Sequence, residues 1–170
     1  RARGATVNAA KLIDVCGLVL AGGASSRFGT DKARYLVEGR AMVVRVVDAV
    51  SAVCDQVLVS VGEETPAFPS LDATYVRDEY RGAGPLAGIH AGLRATTAPW
   101  LLVVACDMPF LTSRTLEALL SHRRPDVRAV VATTPDGRLH PLCACYRRDI
   151  LPLVEEHLAS ERLAVHALLK

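Results

Sequence analysis

The sequence has few aromatic residues and no apolar run of the length that a membrane span requires. Phe, Trp and Tyr account for 5% of the 170 residues, whereas 51% of the chain is apolar. We therefore expect a core built from Val, Leu and Ala, in a domain large enough to be stable without disulfide bonds. A membrane-spanning helix needs about 20 consecutive apolar residues, so we expect no membrane partner.

An excess of one charge sign is also missing from most of the chain. Residues 1–14 carry three basic residues and one acidic residue, which account for the whole net charge of +2. Residues 15–170 are therefore neutral overall and lack the basic excess typical of proteins that bind nucleic acid or membrane surfaces. Residues 1–14 also lack the apolar stretch of a signal peptide. We predict that they form a flexible leader and that residues 15–170 form a single domain.

The five cysteines include no C-x-x-C pair, the spacing that would indicate a zinc or redox site. Most of them lie in or beside apolar, strand-like runs, where a thiol packs as a small hydrophobic group. Cys143 and Cys145 are two residues apart, which without a second pair gives little support for a metal site. The pattern indicates free thiols and hence a reducing cytoplasm.

Two common nucleotide-binding signatures are absent. No G-x-x-x-x-G-K-[ST] segment occurs, which excludes a P-loop NTPase. Gly22-Gly23 does not match G-x-G-x-x-G, which argues against a hydride-transfer enzyme. The histidines do not cluster, and no Ser/His/Asp or Cys/His arrangement can be argued from the sequence.

The most distinctive stretch that is present is residues 18–32, LVLAGGASSRFGTDK. An apolar run there ends in Gly22 and Gly23, and Arg27 and Lys32 follow. The N–H groups of a glycine-rich turn can approach anionic oxygens because no Cβ blocks them. Arg offers a planar fork of donors and Lys a mobile charge, both suited to phosphate. The alternative is a strand followed by a basic loop, but glycines and cations together favour phosphate binding.

Apolar strand-like runs alternate with amphipathic helical patterns, which predicts a doubly wound, largely parallel α/β sheet. The first predicted strand, 15–20, is apolar on both faces, as in parallel sheets covered by helices. The predicted strands are 15–20, 56–61, 73–76, 100–105, 128–133 and 141–146, and the predicted helices are 41–53, 86–95, 113–120 (capped by Thr112 or Ser113), 149–158 and 161–169.

The loops at the carboxyl ends of strands build the ligand site in such a sheet. Three of these loops carry unusual residues, namely residues 22–32, 78–84 and 107–109. Asp107 could hold a hard cation such as Mg²⁺ against phosphate oxygens, or it could cap the following helix. Asp78 could accept hydrogen bonds from guanine N1–H and N2–H₂ or from a ribose, or it could be a solvated loop carboxylate. Ser60 is a weaker candidate of the same kind.

His140 is the one histidine that the sequence offers as a substrate contact, since it precedes Pro141 in an Arg-Leu-His-Pro stretch. His90, His157 and His166 lie on predicted helices and are expected to be surface or packing residues.

Taken together, these motifs resemble the molybdenum cofactor guanylyltransferases, the MobA family. LAGGASSRFGTDK is similar to the LAGG-x-S-x-R-x-G-x-DK signature of that family. The resemblance continues through RDEYRGAGPLAGIHAGL, VACDMPFL and DGRLHPLCACYRRD, and more weakly through LASERLAVHALL. It covers nearly all of residues 15–170.

The resemblance implies a Rossmann-like, three-layer α/β/α fold of the nucleotide-diphospho-sugar transferase type. The implied reaction is Mg²⁺-dependent transfer of GMP from GTP to molybdenum-molybdopterin, giving molybdopterin guanine dinucleotide and pyrophosphate. Transient contacts with molybdenum cofactor biosynthesis proteins and apo-molybdoenzymes would accompany it. A cytidylyltransferase for molybdopterin, another small-acceptor nucleotidyltransferase and a non-catalytic nucleotide or pterin carrier are the alternatives.

The motifs and the resemblance together assign roles to individual residues. Lys32, Arg27 and Asp107 would be catalytic, with Asp107 as the metal ligand, and His140 and Arg162 would lie on the pterin side. The predicted nucleotide-binding residues are Leu20, Ala21, Gly22, Gly23, Lys32, Ser60, Asp78, Gly84 and Asp107.

Overall fold

The computed structural model describes residues 12–22, 32–62 and 71–169, with Lys32 described by its backbone alone. Within these residues a six-stranded sheet carries helices on both faces. The strands are β1 Leu12–Leu20, β2 Leu36–Val37, β3 Arg40–Ala41, β4 Cys54–Val61, β5 Thr74–Arg77, β6 Trp100–Ala105, β7 Ala129–Thr133 and β8 Leu139–Arg147. The α-helices are α1 Met42–Ser51, α2 Pro85–Ala95, α3 Ser113–Leu120 and α4 Leu151–Ala159. Short 3-10 turns span Lys32–Arg34, Arg148–Ile150 and Val165–Leu169.

The main sheet has the strand order β5-β4-β1-β6-β8-β7. Strands β5, β4, β1 and β6 run parallel, whereas β8 pairs antiparallel with β6 and β7 antiparallel with β8. The doubly wound, mostly parallel α/β architecture is confirmed. Because β1 and β6 are interior neighbours, their carboxyl ends lie side by side near the middle of the sheet edge.

Two apolar clusters cover the two faces of the sheet and confirm the three-layer arrangement. One contains the buried faces of α1 and α3 together with alternate residues of β1 such as Val15 and Val19. The other contains the buried face of α2, residues of α4, and the intervening β1 residues such as Leu18 and Leu20. Burial on both faces explains why these strands are apolar throughout rather than alternating with polar residues.

Local sequence accounts for the helices that frame the site. In α1, Val43, Val46, Val47 and Val50 are spaced three or four residues apart and are all buried. Helix α3 begins where it was predicted, since the Thr112 hydroxyl accepts a hydrogen bond from the Thr115 N–H at 3.2 Å.

The predicted helix over 161–169 is wrong. Glu161 has a φ of 53°. The Arg162 N–H donates to the His157 carbonyl and the Glu161 N–H to the Leu158 carbonyl. These two bonds form a Schellman motif, which reverses the chain direction at the end of α4. Only the 3-10 turn Val165–Leu169 follows.

Two further differences concern short or terminal elements. The predicted turn at Glu38-Gly39 closes a small antiparallel hairpin, β2–β3, whose strands were not predicted. Both turn residues have positive φ, as a two-residue type I′ turn requires. Strand β1 begins at Leu12, so Leu12–Asp14 belong to the sheet and not to the predicted leader; residues 1–11 lie outside the described part. Among the residues described, none of the helices has the length and apolar character of a bilayer crossing.

Candidate nucleotide-binding site

Backbone hydrogen bonds bring the carboxyl ends of three strands to one edge of the sheet. The Cys106 N–H donates to the Leu20 carbonyl at 3.1 Å, which joins the end of β6 to the end of β1. The Ala21 N–H donates to the Ser60 carbonyl at 2.9 Å, which joins β1 to β4. Asp107 directly follows Cys106, so it lies at the same edge as the segment that leads into the glycine loop.

Ser60 and Asp78 form a direct hydrogen bond at this edge. The Ser60 hydroxyl donates to Asp78 Oδ1 at 2.8 Å, from a side chain that is only 1% exposed. Burial raises the pKa of the Asp78 carboxyl above its ordinary value, against the opposing effect of the Ser60 hydrogen bond. The Asp78 carboxylate is therefore half-buried and held in orientation by Ser60, which suits a group that accepts hydrogen bonds from a ligand.

The close approach of β1, β4 and α2 requires small residues next to this pair. A Cβ on Gly88 of α2 would lie 2.6 Å from Leu20 Cδ2 and 2.7 Å from Ser60 Oγ. A Cβ on Gly22 would lie 2.7 Å from the Gly62 backbone nitrogen. Gly84 adopts a φ of 60° as the N-cap of α2, and no atom outside its immediate neighbours crowds its missing side chain. The predicted Leu20, Ala21, Gly22, Ser60, Asp78 and Gly84 all lie near strand ends or at the start of α2.

A cleft of about 500 Å³ lies next to Asp107. It includes the exposed Asp107, the first residue of α2 (Pro85), the start of β8 and residues 163–166. His140 lines this cleft, and its Nε2 lies 3.4 Å from the Thr134 hydroxyl. Its contact with a substrate stays a prediction.

Arg162 does not line this cleft. Its Nη2 lies 2.6 Å from Glu156 Oε1, and its Nε donates to the Ser160 hydroxyl. The guanidinium is therefore held on the surface at the end of α4, although the residues that follow Arg162 do line the cleft.

Sequence reasoning missed two polar residues of the cleft, Arg138 and His166. Arg138 follows the Pro135-Asp136-Gly137 turn, and its place before the start of β8 is the signal that could have identified it. His166 was predicted to be a surface or packing residue, because the 3-10 turn that points it toward the cleft was read as a longer helix.

Part of the predicted phosphate-binding loop lies outside the described residues. This holds for Gly23 and Arg27, and for the side chain of Lys32. The backbone of Lys32 begins the 3-10 turn that precedes β2. The assignment of phosphate contacts to these residues stays a prediction.

Asp107 fits a metal that is shared with a substrate. Within the described part of the chain its carboxylate has no ion-pair or hydrogen-bond partner, and no group of three potential metal-ligating side chains occurs. Among the described residues this single carboxylate does not form an all-protein cage. It does match the way Mg²⁺ is bound by one or two carboxylates together with substrate phosphates and water.

A mostly parallel α/β sheet that brings Gly22, the half-buried Asp78 and the exposed Asp107 to one edge is the arrangement expected of a nucleotidyltransferase. Within this class, the chain belongs to the MobA-like NTP transferase domain family, whose model matches residues 17–170. The resemblance expected from the motifs is thereby confirmed.

Relatives and solved structures agree with this assignment. The chain is 35% identical to the molybdenum cofactor guanylyltransferase of Desulfosudis oleivorans over 154 residues, which is 90% of this chain and 75% of that protein. It is 39% identical to the probable molybdenum cofactor guanylyltransferase of Chloroflexus aggregans over 86% of this chain and 72% of that protein. The structure of molybdopterin-guanine dinucleotide biosynthesis protein A from Archaeoglobus fulgidus is 25% identical, with a TM-score of 0.76 over 91% of this chain and 78% of that one.

Proposed function

We propose that the chain transfers GMP from GTP to the terminal phosphate of molybdenum-molybdopterin, giving molybdopterin guanine dinucleotide and pyrophosphate. The observation that supports this best is that Asp78 and Asp107 meet the end of β1 at one sheet edge. The names of the curated relatives support guanylyl transfer to the molybdenum cofactor, and the name of the Archaeoglobus fulgidus protein supports molybdopterin guanine dinucleotide as the product.

The proposed guanine contact is Asp78. A carboxylate can accept hydrogen bonds from both the N1–H and the N2–H₂ of guanine, whereas cytosine does not present this pair of donors. Because Ser60 donates to Asp78 Oδ1, the carboxylate is oriented before the base arrives. The backbone of Leu20, Ala21 and Gly22 would hold the nucleotide at the end of β1. A buried acceptor that a wrong base leaves unpaired discriminates strongly against that base.

The transfer step needs no general base, because the attacking phosphate oxygen is already an anion. In-line attack would form a bond between this oxygen and the α-phosphorus and break the bond to the pyrophosphate oxygen. Lys32, Arg27 and the amides of the glycine loop would neutralise the phosphates and hold both substrates in line. Asp107 would hold Mg²⁺, which when bound neutralises charge on the phosphate oxygens.

The cleft between Asp107 and the start of β8 is the proposed place of the pterin. Its size suits a small-molecule ligand, and its polar side chains include His140 and Arg138. Arg162 was predicted on this side as well, but its guanidinium already contacts Glu156 and Ser160. We therefore assign the pterin contacts to His140 and not to Arg162.

The proposal is tested by incubating the full chain with molybdenum-molybdopterin, Mg²⁺ and either labelled GTP or labelled CTP, and by measuring pyrophosphate and dinucleotide product. We expect product from GTP, and product from CTP alone would identify a cytidylyltransferase instead. Binding of GTP without any product would identify a carrier.

The variant Asp107→Asn should lose nearly all turnover while its unfolding temperature stays within a few degrees of the wild type, because Asp107 is exposed. Asp126→Asn is the matched control, since Asp126 is an exposed loop carboxylate with 73% of its side chain accessible. Undiminished pyrophosphate release by Asp107→Asn would contradict the role of Asp107.

The proposal includes action in the cytoplasm, which is supported by five cysteines that form no disulfide bond with one another. It also includes transient contact with other molybdenum cofactor biosynthesis proteins and with apo-molybdoenzymes, because the product must be passed on to an enzyme that uses it.

A further inference from the structure

Arg45 of α1 contacts two segments that are far apart in the sequence. Its Nε donates to the Pro109 carbonyl at 3.0 Å, across 64 residues. Its Nη1 donates to the Val37 carbonyl at 3.3 Å and to Glu38 Oε2 at 2.8 Å. The guanidinium carbon also lies 5.7 Å from the centre of the Phe110 ring, within the range of a cation–π contact.

Each contacted segment is adjacent to a residue of the proposed site. Pro109 is two residues after Asp107, and Phe110 is the next residue. Val37 and Glu38 belong to the β2–β3 hairpin, which directly follows the 3-10 turn that begins at Lys32. Helix α1 packs against that turn and against β3. Arg45 therefore links the hairpin to the segment between β6 and α3, residues 106–112, which we call the Asp107 loop.

The side chain of Arg45 is well suited to hold two loops at a fixed distance. It is only 22% exposed, so these hydrogen bonds are partly shielded from water. The planar guanidinium presents its donors in a rigid fork, so donors on different nitrogens can serve two carbonyls at once. A lysine offers one flexible point charge and cannot reproduce that geometry.

We propose that Arg45 is a positioning residue for the transfer reaction. Its hydrogen bonds to the Pro109 and Val37 carbonyls fix the position of the Asp107 loop relative to the segment that carries Lys32. The inference rests on the proposed function and extends it to a residue outside the substrate-binding groups. Misplacement of catalytic groups by about 1 Å can cost roughly 100-fold in rate, so small shifts of these loops matter.

The test compares Arg45→Lys and Arg45→Met with two control variants. We expect both Arg45 variants to lose roughly 10- to 100-fold in kcat, to need more Mg²⁺ for half-maximal activity, and to bind GTP within about threefold of the wild type. Nucleotide affinity should be retained because the Ser60–Asp78 pair is untouched. Arg40→Ala removes an exposed ion pair between the same hairpin and α1, and Glu38→Gln keeps an acceptor for Arg45. Both control variants should retain kcat within about twofold, as expected for surface substitutions.

A second measurement does not depend on activity. Amide hydrogen exchange of the nucleotide-free chain should increase in Arg45→Met both at residues 107–111 and at residues 35–41, and in Arg40→Ala at residues 35–41 alone. A wild-type chain without guanylyl transfer would overturn the proposed function. Unchanged exchange at residues 107–111 in Arg45→Met, or unchanged kcat in Arg45→Lys, would overturn the role of Arg45.

Discussion

At the scale of single residues, Asp78 combines two demands that conflict. Its carboxyl is partly buried and accepts one hydrogen bond from Ser60. Burial favours the neutral form and raises the pKa, whereas binding of guanine donors favours the ionised acceptor. The residue is therefore expected to reduce stability in exchange for affinity, as is common at functional sites.

The effect of Asp78 on folding stability should depend on pH. Because the native pKa of Asp78 lies above the unfolded value, the native state binds the proton more tightly. The stabilising contribution of the protonated form is present below the unfolded pKa and is lost as the pH rises through the native pKa. Asp78→Asn should therefore raise the unfolding temperature near neutral pH by roughly 1 to 3 °C, and the gain should shrink toward about pH 4.

Thermal unfolding of the wild type, Asp78→Asn and the exposed control Asp126→Asn across this pH range checks the prediction. The same Asp78 variant should bind GTP at least tenfold more weakly, because an amide nitrogen replaces one acceptor oxygen. A lower unfolding temperature for Asp78→Asn at neutral pH would show that the ionised carboxylate is stabilised in the native state.

At the scale of elements, helix α2 packs on the sheet through two glycines that differ in their neighbours. A Cβ on Gly92 would lie 2.7 Å from Leu18 Cδ2 and 3.1 Å from Leu101 Cδ2, both ends of core side chains. A Cβ on Gly88 would instead meet Ser60 Oγ as well as Leu20. The first glycine therefore adjusts packing within the core, and the second lies next to the nucleotide-facing pair.

Alanine at either position should cost stability for the same reason but should affect binding differently. Overpacking costs about 1 to 3 kcal/mol, and the better helix propensity of Ala offsets up to about 1 kcal/mol of it. Gly88→Ala should also weaken GTP binding severalfold, because Ser60 must move while its hydroxyl holds Asp78. Gly92→Ala should keep GTP affinity. Unfolding by urea together with GTP titration separates the two effects, and equal affinity in both variants would contradict the difference.

The elements also show what the sequence can predict. The run Trp100–Ala105 was predicted with its observed bounds, because a run of six apolar residues between turn signals is too short for a typical helix and is typical of a buried strand. The prediction of a helix over 161–169 was wrong although the apolar residues there have helical spacing. The chain reverses at Glu161, and glutamate rarely adopts the positive φ that this reversal requires.

Some features of the candidate site could likewise be predicted from the sequence, and others could not. Asp78 and Asp107 could be predicted because strand ends are visible in the sequence, and parallel strands end at one edge. The Ser60–Asp78 hydrogen bond could not, because it depends on the β4–β5 register, in which Ser60 pairs with Val76. The hydrogen bond from Arg45 to the Pro109 carbonyl could not be predicted either, because it joins residues 64 apart and depends on how α1 lies on the sheet.

At the scale of the whole molecule, the burial of the cysteine thiols shows how closely the helices pack on the sheet. All five cysteines lie in the described residues, and four of them are buried on the sheet faces. Burial raises the pKa of both Cys54 and Cys145 to about 12. A thiol reagent needs both access and the thiolate form, so these groups should react only when the molecule opens.

Cys106 is the exception, because it is only partly buried and stands directly before Asp107. In the native chain a colorimetric thiol reagent at mildly alkaline pH should label one thiol rapidly, and the other four only in denaturant. Cys106→Ser should remove the rapid phase. If the sheet edge binds the nucleotide, saturating GTP with Mg²⁺ should slow the rapid phase severalfold, because the bound phosphates restrict access to the β6 end. Several rapid thiols would show that the native core opens readily, and a rapid phase that persists in Cys106→Ser would assign the accessible thiol to another strand.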